Sequence, residues 1–167
     1  LNSKYQLYDE ALAIYKKKNQ PEKVVDVYID YMHNLSAASE YAEKVNKPPV
    51  WSKLGRAYID AGRVEDAIES YCRAKDHSDA SRVIDQAEAM NNFEPLVKFL
   101  LMARAANSKN PQIDSELIYA YAQTNMLSEL EDFIHETNQG DIQKVGDRCF
   151  EERLFEAAKI LYISVGN

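Results

Sequence analysis

The sequence predicts an all-α fold: a right-handed α-solenoid, or superhelix, built from short antiparallel helix hairpins. Three observations predict it. One complete helix-turn-helix hairpin is legible between Trp51 and Ala74, its apolar pattern recurs every 27 to 34 residues, and turn-forming residues recur at matching positions. Self-similarity at a period of 20 to 50 residues is the sequence signature of repeat architectures.

The clearest hairpin begins with an amphipathic helix. Trp51, Leu54 and Tyr58 are spaced so that their side chains share one helix face. Gly62 ends this helix, because glycine adopts the left-handed conformation common at helix ends without steric cost. The second helix carries an apolar stripe at the same spacing, made of Val64, Ala67, Ile68, Tyr71 and Ala74.

A small or apolar residue within the second helix marks each repeat. The markers are Ala11, Ala38, Ala67, Leu96, Leu130 and Ala158, separated by 27, 29, 29, 34 and 28 residues. The longest interval contains the polar run 107–111, which lengthens one connection. Each interval is the length of one short hairpin, so the spacing predicts a helical array.

The residue five positions before each of the last five markers tests the turn. These residues are His33, Gly62, Asn91, Asn125 and Arg153. Glycine and asparagine best tolerate a left-handed helix end, and histidine is modestly enriched there. Arg153 does not fit, so the pattern predicts that its turn is built differently.

The predicted elements are a leading helix at about 4–18 and five hairpins. The hairpins pair 21–32 with 35–46, 49–60 with 64–75, 78–90 with 93–106, 111–124 with 127–137, and 141–152 with 154–165. Prolines suit the predicted helix starts at Pro21, Pro48, Pro49 and Pro111, and Pro95 lies in a first turn. We expect residues 1–167 to form a single continuous solenoid segment of about 11 helices, cut from a longer chain.

Composition restricts the classes of function. The chain is 46% hydrophobic and 28% charged, which is typical of a soluble folded protein. No apolar run approaches the roughly 20 residues that cross a bilayer, and no leader peptide is visible, so we expect a cytoplasmic protein without direct membrane insertion. The net charge of -7 argues against nucleic acid as a partner. Cys72 and Cys149 are expected to be reduced and buried.

The sequence contains no catalytic, cofactor-binding or metal-binding motif, which predicts that the chain is not an enzyme and needs no cofactor. The histidines lie near predicted turns and far apart: His33, His77 and His135. Two acidic groups could be mistaken for paired catalytic carboxylates. They are Glu151 and Glu152 beside Arg153, and Glu129, Glu131 and Asp132. Without a nearby base or nucleophile, we interpret them as solvated helix faces.

The hairpin at 51–74 contains a set of residues that is similar to the tetratricopeptide repeat: Trp51, Leu54, Gly55, Tyr58, Ala67, Tyr71 and Ala74. A wider pattern covers nearly the whole chain, in segments 8–17, 39–71, 116–134 and 142–162, and includes VGDRC followed by AAK. In these segments the chain resembles the clathrin heavy-chain family. The stretches 19–34 and 105–114 match least. The resemblance implies a leg segment around the knee and the start of the proximal leg.

That resemblance implies a structural scaffold for vesicle coats in endocytosis and intracellular traffic. Its partners would be other clathrin heavy chains, three of which join in a triskelion, with legs packing side by side in the lattice. A clathrin light chain would contact at most the edge of this segment. The expected location is the cytoplasmic face of coated pits and coated vesicles.

Other functional classes remain open from the sequence. A tetratricopeptide-like adaptor would clamp a peptide carboxylate with basic and amide side chains; Lys53, Arg56 and Asn125 are present, but no clamp pattern repeats. A vesicle-tethering subunit could use the same repeat. A helical-repeat domain that regulates an attached enzyme is the third class.

Overall fold

The computed structural model describes residues 2–107 and 109–166. All regular secondary structure in these residues is helical, and they contain no strand. Ser108, part of the predicted long connection, lies outside them. The helices are α1 (Asn2–Lys17), α2 (Pro21–Asp26), α3 (Leu35–Val45), α4 (Pro48–Asp60), α5 (Val64–Ala74), α6 (Ala80–Ala89), α7 (Phe93–Ala106), α8 (Pro111–Gln123), α9 (Leu127–His135), α10 (Ile142–Glu151) and α11 (Phe155–Ser164). A π-helical segment (Val27–Tyr31) follows α2. The predicted α-solenoid fold class is confirmed.

The helices form two compact units, which divide between Gln86 and Ala87, inside α6. In the first unit, α4 packs on α5 within a hairpin, while α2 and α3 pack on α4. In the second unit, α8 packs on α9, and α10 packs on α11. There the first helices of successive hairpins also contact each other, α8 with α10, as do the second helices, α9 with α11. Solenoid repeats bury their apolar faces in this way, with first helices stacked on first helices and second helices on second helices.

The repeat markers lie in the core. Five of the six are buried, and Ala11 is half-buried. In the clearest hairpin, the side chains of Trp51, Leu54 and Tyr58 are buried, as are Val64 and Tyr71 in the facing helix. Cys149 is buried as expected, but Cys72 is only half-buried. The predicted apolar stripes are therefore the packing faces.

All five predicted turn residues have a left-handed backbone. The φ angles are 50° at His33, 75° at Gly62, 58° at Asn91, 56° at Asn125 and 63° at Arg153. The exception predicted for Arg153 is wrong. Its N–H donates to the Phe150 carbonyl at 3.1 Å and the next N–H, of Leu154, donates to the Cys149 carbonyl at 2.8 Å. These two bonds are the Schellman helix ending, which satisfies carbonyls that would otherwise lack partners and holds arginine in this conformation.

The single helix predicted at 21–32 is also wrong, because it changes to a π-helical segment at Val27. Met32 N–H donates to the Val27 carbonyl, five residues back, at 3.0 Å. Asn34 N–H then donates to the Tyr28 carbonyl, six residues back. At the other four predicted turns, the equivalent donor and acceptor are five residues apart. The wider π turn absorbs one extra residue before the left-handed His33.

Two hairpins use the same close contact between a glycine and a tyrosine. A Cβ placed on Gly55 would lie 3.0 Å from the Tyr71 ring, and one on Gly146 would lie 3.1 Å from the Tyr162 ring. In both hairpins sixteen residues separate the pair. The glycine therefore lets the second helix bring an aromatic ring onto the backbone of the first.

The two glycines should respond differently to alanine. Both tyrosine hydroxyls donate to a carboxylate, Tyr71 to Asp79 at 2.8 Å and Tyr162 to Asp147 at 2.6 Å. The Tyr71 ring is fully buried and has no room to withdraw, whereas Tyr162 is half-buried, its partner is exposed, and the two can move outward together. Overpacking costs about 1–3 kcal/mol, against a gain in helix propensity of about 1 kcal/mol. We expect Gly55→Ala to lower the free energy of unfolding by about 1 kcal/mol net, and Gly146→Ala to leave it unchanged or slightly raised. Urea unfolding of the two variants tests this, and equal effects would contradict it.

Candidate functional site: polar ties between successive hairpins

Among the residues that could suggest catalysis, the described contact is between His135 Nδ1 and the backbone carbonyl oxygen of Glu131, at 2.6 Å, and it involves no carboxylate. His33 and His135 are exposed, and His77 is half-buried. Both acidic groups, at 151–152 and at 129–132, are exposed apart from the buried Leu130 between them. The described residues contain no group of three or more histidine, cysteine, aspartate or glutamate side chains placed to hold a metal ion.

One polar cluster joins the first helices of three successive hairpins. Arg148 on α10 donates through Nη2 to Glu88 Oε1 at 3.0 Å, in the last turn of α6. Through Nη1 it also donates to Glu116 Oε1 on α8 at 3.4 Å. Its guanidinium lies 3.5 Å from the centre of the Tyr119 ring. We call these four residues the Arg148 cluster.

Burial makes the electrostatics of the Arg148 cluster unusual. The side chain of Glu116 is only 18% exposed, and its Oε2 atom is buried without a hydrogen-bond partner among the described groups. Burial, followed by the neighbouring Glu88 carboxylate, raises the pKa of Glu116 to about 7, and Arg148 offsets only part of this effect. The cluster therefore contains a carboxyl group that changes charge near neutral pH.

A second polar tie holds the long connection between α9 and α10. Asp114 on α8 is fully buried and accepts a bond from Arg104 Nε at 3.1 Å. Its other oxygen accepts from the Gln139 N–H at 2.8 Å. Arg104 also donates to the Thr137 carbonyl at 2.8 Å and stacks 4.8 Å from the centre of the Phe133 ring. The ion pair thus joins α7 and α8 to the following connection.

Polar ties also connect successive hairpins of the first unit. Lys53 on α4 donates to Asp26 on α2 at 2.9 Å. Arg73 on α5 donates to Glu43 on α3 at 2.9 Å, while its guanidinium stacks 4.6 Å from the Trp51 ring. These pairs are partly exposed, so each contributes little stability alone, but each fixes the register of one helix on another.

Apolar side chains are exposed on the leading helix, on the π-helical segment and on the last hairpin. On α1 and the π-helical segment they are Tyr5, Leu7, Ile14 and Tyr31. On α10 and α11 they are Phe150, Phe155 and Ile163, with Val165 just beyond α11. Phe150 and Phe155 form an edge-to-face pair with ring centres 5.5 Å apart, beside a shallow groove of about 350 Å³. Contiguous exposed apolar surface of this kind marks a packing or interaction face.

The side chains that an adaptor clamp would need have other positions and partners. Lys53 pairs with Asp26, Arg56 is exposed, and Asn125 is the left-handed residue of the α8–α9 turn. An asparagine in the turn between two helices is not on the helix face from which a clamp would reach a peptide. These residues therefore do not support the adaptor reading.

Comparison with known proteins agrees with this repeat architecture. The profile of a family described as "Clathrin: Region in Clathrin and VPS" matches residues 2–66 and 71–167. The chain belongs to the clathrin family. It is 46% identical over 162 residues to the clathrin heavy chain of Drosophila melanogaster, and 45% identical over 161 residues to clathrin heavy chain 2 of Homo sapiens. These alignments cover 97% and 96% of this chain.

A probable clathrin heavy chain of Schizosaccharomyces pombe is also 45% identical, over 96% of this chain. The chain spans about a tenth of the length of these curated clathrin relatives. The resemblance stated from the sequence is thereby confirmed. Within the described residues, every helix is too short or too polar to cross a membrane.

Sequence reasoning missed the members of the Arg148 cluster, although the signal was partly visible. Arg148 lies in the VGDRC segment that carries the clathrin resemblance, and an arginine in a helix with the buried Val145 and Cys149 invites a search for carboxylate partners. Nothing in the spacing pointed to Glu88, which is 60 residues away in the chain.

Proposed function

We propose that this chain is a structural leg segment of a clathrin heavy chain, without catalytic activity, that packs against other legs in a polyhedral vesicle coat. The observation that carries the proposal is identity of about 45% across nearly the whole chain to clathrin heavy chains of an insect, a yeast and a human. The confirmed hairpin packing gives this likeness a physical basis, because a solenoid segment keeps its shape only if its interior contacts are kept.

The polar ties support a mechanical role. Each α-helix here has 6 to 16 residues, a length at which an isolated helix is marginal in water. Packing of each hairpin on its neighbours must therefore hold the helices, and ties such as Lys53–Asp26 fix how one hairpin sits on the next. A segment built in this way transmits force along its length and presents repeated surfaces at fixed spacing.

The exposed apolar faces support a place within a longer array. We infer that the side chains on α1 and on α10 and α11 pack against further hairpins of the same heavy chain. The relatives are about ten times longer than this chain, which leaves ample sequence for those hairpins. On this proposal residues 1–167 form one continuous segment, whose two units follow each other within α6. The segment lies near the knee and the start of the proximal leg of the heavy chain.

The partners follow from the same proposal. Other heavy chains would contact the surface of this segment in the lattice, through weak polar contacts that sum over many copies. A light chain would contact at most its edge, and the site of action would be the cytoplasmic face of coated pits and coated vesicles. The net charge of -7 with interspersed lysine and arginine suits salt-sensitive contacts of this type.

A chimeric heavy chain tests the scaffold role. The matching 162 residues of the Drosophila melanogaster heavy chain would be replaced by this chain, and the purified product examined by sedimentation and by electron microscopy. We expect trimers that assemble into closed cages. The unmodified Drosophila chain is the positive control. Trimers that never form a lattice, under conditions where the control assembles, would overturn the proposal.

A further inference from the structure

The Arg148 cluster contains two carboxyl groups and one guanidinium, so its charges do not balance when both carboxyls are ionised. Glu88 and Glu116 both bind Arg148 through their Oε1 atoms, and Glu116 Oε2 is buried without a hydrogen-bond partner among the described groups. A carboxylate only accepts hydrogen bonds, so two ionised carboxylates side by side cannot bond to each other. One shared proton would supply the missing donor and make the cluster neutral.

The surrounding charged groups do not remove this imbalance. On α10, a groove of about 640 Å³ beside Glu116 is lined by Lys144, Asp147, Arg148 and Glu151, and Asp141 lies just before that helix. These groups add three carboxylates but only one further cation. On α8, Tyr119 lies against the Arg148 guanidinium, and Glu152, just beyond α10, adds a further negative charge that acts on Tyr119. Arg104 of α7 binds Asp114 instead. The excess negative charge around Glu116 therefore persists.

We propose that Glu88, Glu116 and Arg148 form a proton-dependent tie between the last turn of α6, α8 and α10, which holds the three helices together when the carboxyl pair carries one proton and loosens when both carboxyls ionise. The proton forms a carboxyl–carboxylate hydrogen bond, while Arg148 neutralises the remaining charge. Loss of the proton leaves a net charge of about -1 in a partly desolvated site, where charge is costly.

The direction of the effect follows from the folded and unfolded proton affinities. The pKa of Glu116 is raised to about 7 in the folded chain, from an ordinary value of 4.5, by burial first and then by Glu88. The folded state therefore binds the proton more tightly than the unfolded chain. The resulting stabilisation is fully present below pH 4.5 and is lost as the pH rises through about 7.

The consequence for the fold is local to the second unit. α8 and α10 are first helices of successive hairpins and pack directly on each other, with the groove beside Glu116 opening between them. Ionisation would loosen α10 from α8 without disturbing the apolar contacts of α10 with α11. A mildly acidic medium would therefore stiffen this part of the segment, and a mildly alkaline one would free it.

The experiment compares the wild-type chain with Glu116→Gln between pH 6 and pH 8. Carbon-13 NMR of the glutamate carboxyl groups should give a titration midpoint near 7 for Glu116. The equilibrium constant for folding, from urea unfolding, should fall about tenfold in the wild type over this range. Glu116→Gln should abolish that fall, because glutamine does not titrate. Amide hydrogen exchange should show the loss of protection in α8 and α10.

Matched variants keep the proposal falsifiable. Glu156→Gln, an exposed position on α11, should retain the tenfold fall. Glu88→Gln should move the Glu116 midpoint downward, because it removes the neighbouring negative charge. A Glu116 midpoint below 5, or an unchanged pH dependence in Glu116→Gln, would overturn the proposal. If that variant does not fold, the wild-type titration and Glu88→Gln decide the question.

Discussion

Trp51→Ala is expected to lower the free energy of unfolding by about 3–5 kcal/mol, as large truncations in a packed core do. The indole is 3% exposed and lies in the hairpin formed by α4 and α5. Its Nε1 donates to Asn46 Oδ1 at 2.9 Å, and the Arg73 guanidinium covers its face at 4.6 Å. Alanine would leave a cavity and remove a stacking partner together, and urea unfolding measures the sum.

Two variants separate packing from hydrogen bonding at this position. Trp51→Phe keeps most of the buried ring but loses the N–H, and should cost clearly less than Trp51→Ala. Asn46→Gly removes the acceptor while keeping a residue that tolerates the φ of 47°, so it should cost about 1 kcal/mol or less. A Trp51→Ala cost near that of Asn46→Gly would show that the indole contributes its hydrogen bond and little packing.

Local patterns account for most of the fold. The apolar stripe from Val64 to Ala74 predicted a buried helix face, and four of its five apolar side chains are buried, while Ala74 is half-buried. The turn at Asn125 was also predictable from a local feature, because asparagine tolerates a left-handed backbone. Arg153 was misjudged because intrinsic preference was treated as decisive. The two hydrogen bonds of the helix ending and the packing of α10 on α11 outweigh the steric cost.

Features that depend on distant parts of the chain were not predictable. The π-helical segment at Val27–Tyr31 has no distinctive amino-acid composition that would predict it. It results from fitting one extra residue between two packed helices. In the sequence, Asp114 has the pattern of an ordinary acidic residue in the first turn of a helix. It is nevertheless fully buried, because the connection that carries Gln139 folds over it. Packing between helices decides both features, and hairpin spacing alone does not specify which side chains meet.

Arg104→Met should lower the free energy of unfolding by about 3 kcal/mol, because it leaves the buried Asp114 without its counterion. The Asp114 side chain is 0% exposed, and after the substitution the Gln139 N–H would be the remaining donor of the two described for it. The variant also loses the bond to the Thr137 carbonyl and the stacking on Phe133. Urea unfolding at pH 7 measures the loss.

Combining Arg104→Met with Asp114→Asn identifies the cause. Asparagine keeps an acceptor for Gln139 but carries no charge, so the double variant should be more stable than Arg104→Met alone, although it contains one more substitution. If the two single-variant costs simply add, the buried charge is not what Arg104 compensates, and its contribution comes from packing on Phe133.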